Sequence, residues 1–139
     1  MEQLLNGSNS LEGGVPKSFG STCTLQSLDL SDNMLNEDLT VIFNHLFGCS
    51  IYSFRELYLN QNKFSATLAD FSIFLKLEML DLSRNELKDM VPKSIHNATV
   101  LRSLDLSNNH LSENLPAIIH HLSQCQILIA TFRSEHESN

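Results

Sequence analysis

Six histidines, three cysteines and sixteen acidic residues are the side chains of this 139-residue chain that could hold a metal or move a proton. His120, His121 and Cys125 lie close in sequence. Adjacent histidines on a helix point about 100° apart, which makes a poor chelate, and no second cysteine stands at ligand spacing. His121 also falls where His45 falls in the shared string H-L-x-x-C-x-I, so it reads as a repeated position and not as a ligand. No metal site and no cofactor is expected. Ser, His and Asp are abundant, yet no G-x-S-x-G, glycine-rich phosphate loop or H-E-x-x-H occurs. The chain is not expected to be an enzyme.

The acidic residues follow a pattern of another kind. Asp29, Asp81 and Asp105 each stand in the phrase L-D-L-S, within LQSLDLSDNML (25–35), LEMLDLSRNEL (77–87) and LRSLDLSNNHL (101–111). The asparagine near the end of each phrase marks a repeat: Asn9, Asn33, Asn62, Asn85 and Asn109, at intervals of 24, 29, 23 and 24 residues. Eight, five and three residues before the last four markers stand Leu25, Leu28, Leu30; Phe54, Leu57, Leu59; Leu77, Leu80, Leu82; and Leu101, Leu104, Leu106. Two residues after the five markers stand Leu11, Leu35, Phe64, Leu87 and Leu111. The unit of Asn9 is degenerate, with Met1 and Leu4 in place and Asn6 where a leucine belongs.

This spacing dictates elements. The pair L-x-L has period two, so both leucines face one side of a short strand. Such a strand cannot bury its apolar side alone, but stacked copies about 4.8 Å apart build a parallel sheet over a continuous leucine core. The marker asparagine ends the strand and turns inward. Its amide has both donor and acceptor and satisfies turn backbone groups that the strand ladder no longer reaches, so stacking predicts an asparagine ladder. In the 29-residue unit, Ile42, Phe43, Leu46 and Phe47 recur at helical spacing. Asp38 as N-cap and Gly48 as stop predict a short helix that buries this stripe on the core.

The string L-x-x-L-x-L-x-x-N-x-L, written in five units over about residues 1–122, resembles the leucine-rich repeat family. Its continuation in NSLEGGVP (9–16), NELKDMVP (85–92) and NHLSENLP (109–116) resembles the plant-type subclass. The implied fold is an α/β solenoid, with a curved parallel β-sheet on the concave side and short helices and turns on the convex side. Residues 123–139 read as a degenerate partial repeat and polar tail. Four residues past the marker only Gly13 keeps the family's glycine; Glu37, Ala66, Asp89 and Glu113 replace it. Thr40 and Ala69 replace the proline, so the convex turns of the Asn33 and Asn62 units are expected to differ from the family's.

Specificity is expected where the copies disagree. Outward strand positions lie seven, six, four, two and one residues before each marker. They place Arg55, Tyr58, Asn60, Gln61, Asp81, Arg84, Arg102, Asp105 and Asn108 on one concave face, with Tyr58 breaking the aspartate column. An aromatic mixed with arginines, acids and amides suits a polar peptide or protein partner. Exposed charge columns usually stay hydrated, so the aspartates read first as scaffold.

The formal charge of −7 argues against nucleic acid or an anionic membrane surface as partner. No apolar run approaches the ~18 residues of a membrane span. MEQLLNGSNS does not read as a signal peptide. Three cysteines do not read as a disulfide framework, and they leave the redox compartment open. No capping segment is recognised at either end, which predicts part of a longer repeat array, prone to self-associate. Of the sequons Asn6-Gly7-Ser8 and Asn97-Ala98-Thr99, only Asn97 falls on the convex side, where a glycan fits; Asn6 falls inward. The resemblance implies the ectodomain of a plant receptor-like protein or receptor-like kinase in defence or development. Its parent would be extracellular or plasma-membrane, its partners a protein or peptide ligand and a co-receptor. A secreted polygalacturonase-inhibitor-like protein and a cytosolic leucine-rich repeat interaction protein are the alternatives.

Overall fold

The computed structural model describes residues 3–89, 97–112 and 127–129. His120, His121, Cys125 and the prolines at 92 and 116 lie outside them. Among the described residues ten short strands run in chain order: β1 (Gln3–Leu5), β2 (Glu12–Gly13), β3 (Ser27–Asp29), β4 (Met34–Leu35), β5 (Glu56–Tyr58), β6 (Met79–Asp81), β7 (Lys88–Asp89), β8 (Ser103–Asp105), β9 (His110–Leu111) and β10 (Ile127–Ile129). An α-helix, α1, spans Leu39–Leu46.

The L-x-L strands form a six-stranded parallel sheet in the order β1-β3-β5-β6-β8-β10. Their register follows the repeat, with Leu4, Leu28, Leu57, Leu80, Leu104 and Leu128 side by side. Strand β10 lies where the motif has lost its asparagine, so backbone pairing continues past the last marker. The twelve apolar residues that precede the markers Asn33, Asn62, Asn85 and Asn109 are all buried, as are Leu35, Phe64, Leu87 and Leu111. Each fully buried leucine contributes roughly 1.5–3 kcal/mol relative to exposure. Leu11 stays 40% exposed.

Past each asparagine the chain turns, and β2–β4 and β7–β9 pair there as two small parallel sheets. Gly13 takes φ +82° at this turn, and Ala66 and Asp89 take φ +67° at the equivalent position. The left-handed backbone therefore survives in the Asn62 unit without the glycine. Glu37 does not share that conformation among the described residues, and α1 follows it.

Helix α1 starts as its sequence dictates: the Asp38 carboxylate accepts from Thr40 N at 2.8 Å. It buries Leu39, Ile42, Phe43 and Leu46. Phe47 was expected on that stripe, but it is 58% exposed. The helix ends at Leu46, and the extended backbone of Phe47 takes its side chain out of helical register. Phe74 closes the core beside α1, edge-on to Phe43 and Phe54 at centroid distances of 5.3 and 5.6 Å.

The cysteine reading needs correction, because Cys23 and Cys49 form a disulfide with Cα atoms 4.9 Å apart. They are 26 residues apart, close to one repeat. Stacking brings positions one period apart into contact, which is the signal that the odd count concealed. Beside the bridge two backbones nearly touch: a Cβ on Gly20 would lie 2.3 Å from Phe47 O, and one on Gly48 equally near Gly20 O. Only glycine fits either place.

Candidate functional site

Strand register turns the outward positions into rows. The central row reads Leu5, Asp29, Tyr58, Asp81 and Asp105. The next row toward the strand starts reads Gln3, Ser27, Glu56, Met79 and Ser103. Seven residues before the last four markers stand Gln26, Arg55, Glu78 and Arg102.

The aspartates of the central row are tied down. Asp29 Oδ1 accepts from Ser31 N at 2.9 Å and from Ser31 Oγ at 2.6 Å. Asp81 holds Ser83, and Asp105 holds Ser107, with the same pair of bonds at 3.0 and 2.7 Å. The phrase L-D-L-S is thus a turn clamp, in which a side chain stands in for a backbone acceptor. In the Asn62 unit the phrase reads L-Y-L-N, and Tyr58 and Asn60 replace the clamp. The phenol of Tyr58 stands between Asp29 and Asp81. Partial burial holds its pKa above the ordinary value, and the negative charges of Glu56, Asp29 and Asp81 add to this, as does a hydrogen bond with Glu56.

The residue before each marker is left-handed in every unit: Ser8, Asp32, Gln61, Arg84 and Asn108 have φ between +53° and +58°. Gln61, Arg84 and Asn108 therefore project from a fixed turn, and all three are exposed. Non-glycine residues there carry a backbone cost of about 1–2 kcal/mol.

At the strand starts, Glu78 sits between two guanidiniums. Arg55 Nη1 lies 3.5 Å from Glu78 Oε2, and Arg102 Nε lies 3.6 Å from Oε1. With Lys76 these residues line a cleft of about 680 Å³. Lys76 was not singled out from the sequence, because it precedes the first inward leucine and lies outside the repeated outward offsets. The expected face residues are therefore divided: Arg55 and Arg102 line the cleft, Tyr58, Asp81 and Asp105 share the central row, and Asn60, Gln61, Arg84 and Asn108 lie toward the turn. Asn97 is exposed, and its carbonyl accepts from Thr99 N at 2.9 Å. Among the described residues no group of three or more His, Cys, Asp or Glu side chains is placed to hold a metal ion.

A parallel sheet of repeated L-x-L strands, closed by inward asparagines, defines a leucine-rich repeat solenoid. Leucine rich repeat families match at residues 24–51 and 53–111, and the chain belongs to the leucine-rich repeat family. It is 33% identical to Receptor-like protein 41 of Arabidopsis thaliana over 73% of this chain and 14% of that protein. The plant peptide hormone receptor RGFR1, solved in complex with RGF2, superposes with a TM-score of 0.77 at 26% identity, over 95% of this chain and 20% of the receptor. The Arabidopsis receptor kinase HAESA, solved with the peptide hormone IDA and the co-receptor SERK1, gives 0.77 at 26% identity, over 94% and 22%. This chain thus spans a small part of the length of each.

Proposed function

We propose that this chain is a peptide- or protein-binding module of a plant cell-surface receptor-like protein, acting in defence or developmental signalling. The observation that carries the reading is the break in the clamped row at Tyr58. Every other described unit with the full motif spends its central outward residue on holding a serine, whereas here a tyrosine and an amide face outward between two carboxylates. A partly buried aromatic with a polar tip among charged neighbours is the usual anchor of a polar interface. Arg84, Gln61 and Asn108 flank it from rigid turns. The mechanism is recognition by a preorganised sheet, with no bond made or broken, and a co-receptor as a second partner. Similarity to RGFR1 with RGF2 and to HAESA with IDA and SERK1 supports a peptide ligand and a co-receptor.

The disulfide Cys23–Cys49 favours an extracellular setting over the cytosolic alternative, because such bonds persist in oxidising compartments. A glycan on the exposed Asn97 belongs to the same reading. The test passes peptide fractions of plant extracellular fluid over the immobilised chain. A peptide retained by the wild type and lost with Tyr58→Ala supports the reading, and unchanged retention overturns it.

A further inference from the structure

The strand-start rim has a charge opposite to that of the chain. The chain carries sixteen acids against nine bases. In the cleft of about 680 Å³, however, Arg55, Lys76 and Arg102 surround one carboxylate, Glu78. Among the described residues, three cations less one anion leave a local surplus of two positive charges. Arg55 and Arg102 stand two strands apart, about 10 Å at ordinary strand spacing. Glu78 lies between them at 3.5 and 3.6 Å, contacts too long for tight bidentate pairs. Lys76 has no ion pair among the described residues.

The cleft also has an apolar margin. Val100 lines it and is 44% exposed, and Leu75, next to Lys76, is 55% exposed. Leu75 N donates to Ile51 O at 2.9 Å, which fixes its backbone. Valine in the open in a cationic cleft, with an exposed leucine next to Lys76, suits a ligand that carries both carboxylates and apolar side chains.

We propose that this rim docks an acidic polypeptide segment in which Asp or Glu alternates with apolar residues. The segment's carboxylates meet Lys76, Arg55 and Arg102, while its apolar side chains cover Leu75 and Val100. A small anion would use only the charges and leave the apolar margin wet. A nucleic acid has no aliphatic side chain to cover Val100. The proposal is separate from the Tyr58 row and stands whether or not that row binds a ligand.

The test is fluorescence anisotropy with the full chain and a labelled peptide of repeated Glu-Leu pairs. Its Gln-Leu counterpart, inorganic phosphate and a single-stranded oligonucleotide serve as comparisons. The Glu-Leu peptide should bind, weaken at high salt, and exceed the Gln-Leu peptide by about tenfold. Lys76→Glu, at an exposed position, should keep the circular dichroism of the wild type and lose about tenfold in affinity. Tyr58→Ala should leave this affinity unchanged. Equal binding of the two peptides, or full affinity in a folded Lys76→Glu chain, overturns the proposal. So does complete displacement by phosphate, or tighter binding of the oligonucleotide.

Discussion

Asn85 reaches back one repeat to Leu59: its Nδ2 donates to the Leu59 carbonyl at 3.1 Å, while its Oδ1 accepts from Phe64 N at 3.1 Å. Asn33, Asn62 and Asn109 make the same backward reach, to Asn6 O, Leu30 O and Leu82 O. Asn9 has no described unit behind it and turns to Asn6 O and Gly7 O in its own loop. Removing a buried amide strands the groups it served, at roughly 1–3 kcal/mol each. Asn85→Ala should therefore lower unfolding stability by about 3 kcal/mol in urea melts. Asn9→Ala, at an exposed position, should change it by less than about 0.5 kcal/mol. Equal losses at the two sites would mean that the asparagines act through their own turns and not between units.

The left-handed turn at Ala66 lacks the residue that suits it. Alanine at φ +67° bears a steric cost of about 1–2 kcal/mol, against roughly 0.5–1 kcal/mol of extra chain entropy for glycine. Ala66→Gly should raise stability by about 0.5 kcal/mol. The reverse change, Gly13→Ala, should lower it by a like amount, since a Cβ there meets nothing within 4 Å and the effect is purely conformational. Thermal melts of both variants read the signs, and a loss in Ala66→Gly would refute the account.

The Cys23–Cys49 bridge closes a loop of 26 residues. Chain-entropy reasoning gives about 3 kcal/mol for a loop of that size. A reductant, or Cys23→Ser with Cys49→Ser, should lower the urea midpoint accordingly. An unchanged midpoint would mean that the Gly20–Gly48 backbone contact alone fastens this part of the solenoid.

The repeat was legible in the sequence because a leucine every two or three residues has one physical use, and its offsets mark the inward face. The same offsets placed Arg55, Tyr58 and Arg102 on strands or their starts. What could not be read were contacts between units. Asp81 looked like an exposed charge, and only the turn geometry shows it holding Ser83. Cys23 and Cys49 looked unmatched because the chain has three cysteines, and only the stacking of units brings these two together. Lys76 was missed because it lies outside the repeated outward offsets, although it lines the same cleft as Arg55 and Arg102.

Tyr58 offers a spectroscopic reading of the candidate face. Burial, then Glu56, Asp29 and Asp81, all disfavour tyrosinate, so its folded pKa lies above the ordinary value of 10.0. The sign follows from linkage. Below about pH 10 the phenol is neutral in both folded and unfolded chains and adds nothing to pH dependence. Above it the unfolded chain ionises first, and stability falls with rising pH until the folded phenol also loses its proton. In a Tyr52→Phe background, ultraviolet titration should show the remaining tyrosine ionising above the free phenol. Asp81→Asn should move that ionisation downward by removing one repelling charge. Asp105→Asn should move it less, because Asp105 lies one strand further away. A ligand that places a cation over the central row should also lower the pKa, which makes the phenol a reporter of binding. Equal shifts in the two asparagine variants would show that Tyr58 senses the net charge of the whole face rather than its neighbours on β3 and β6.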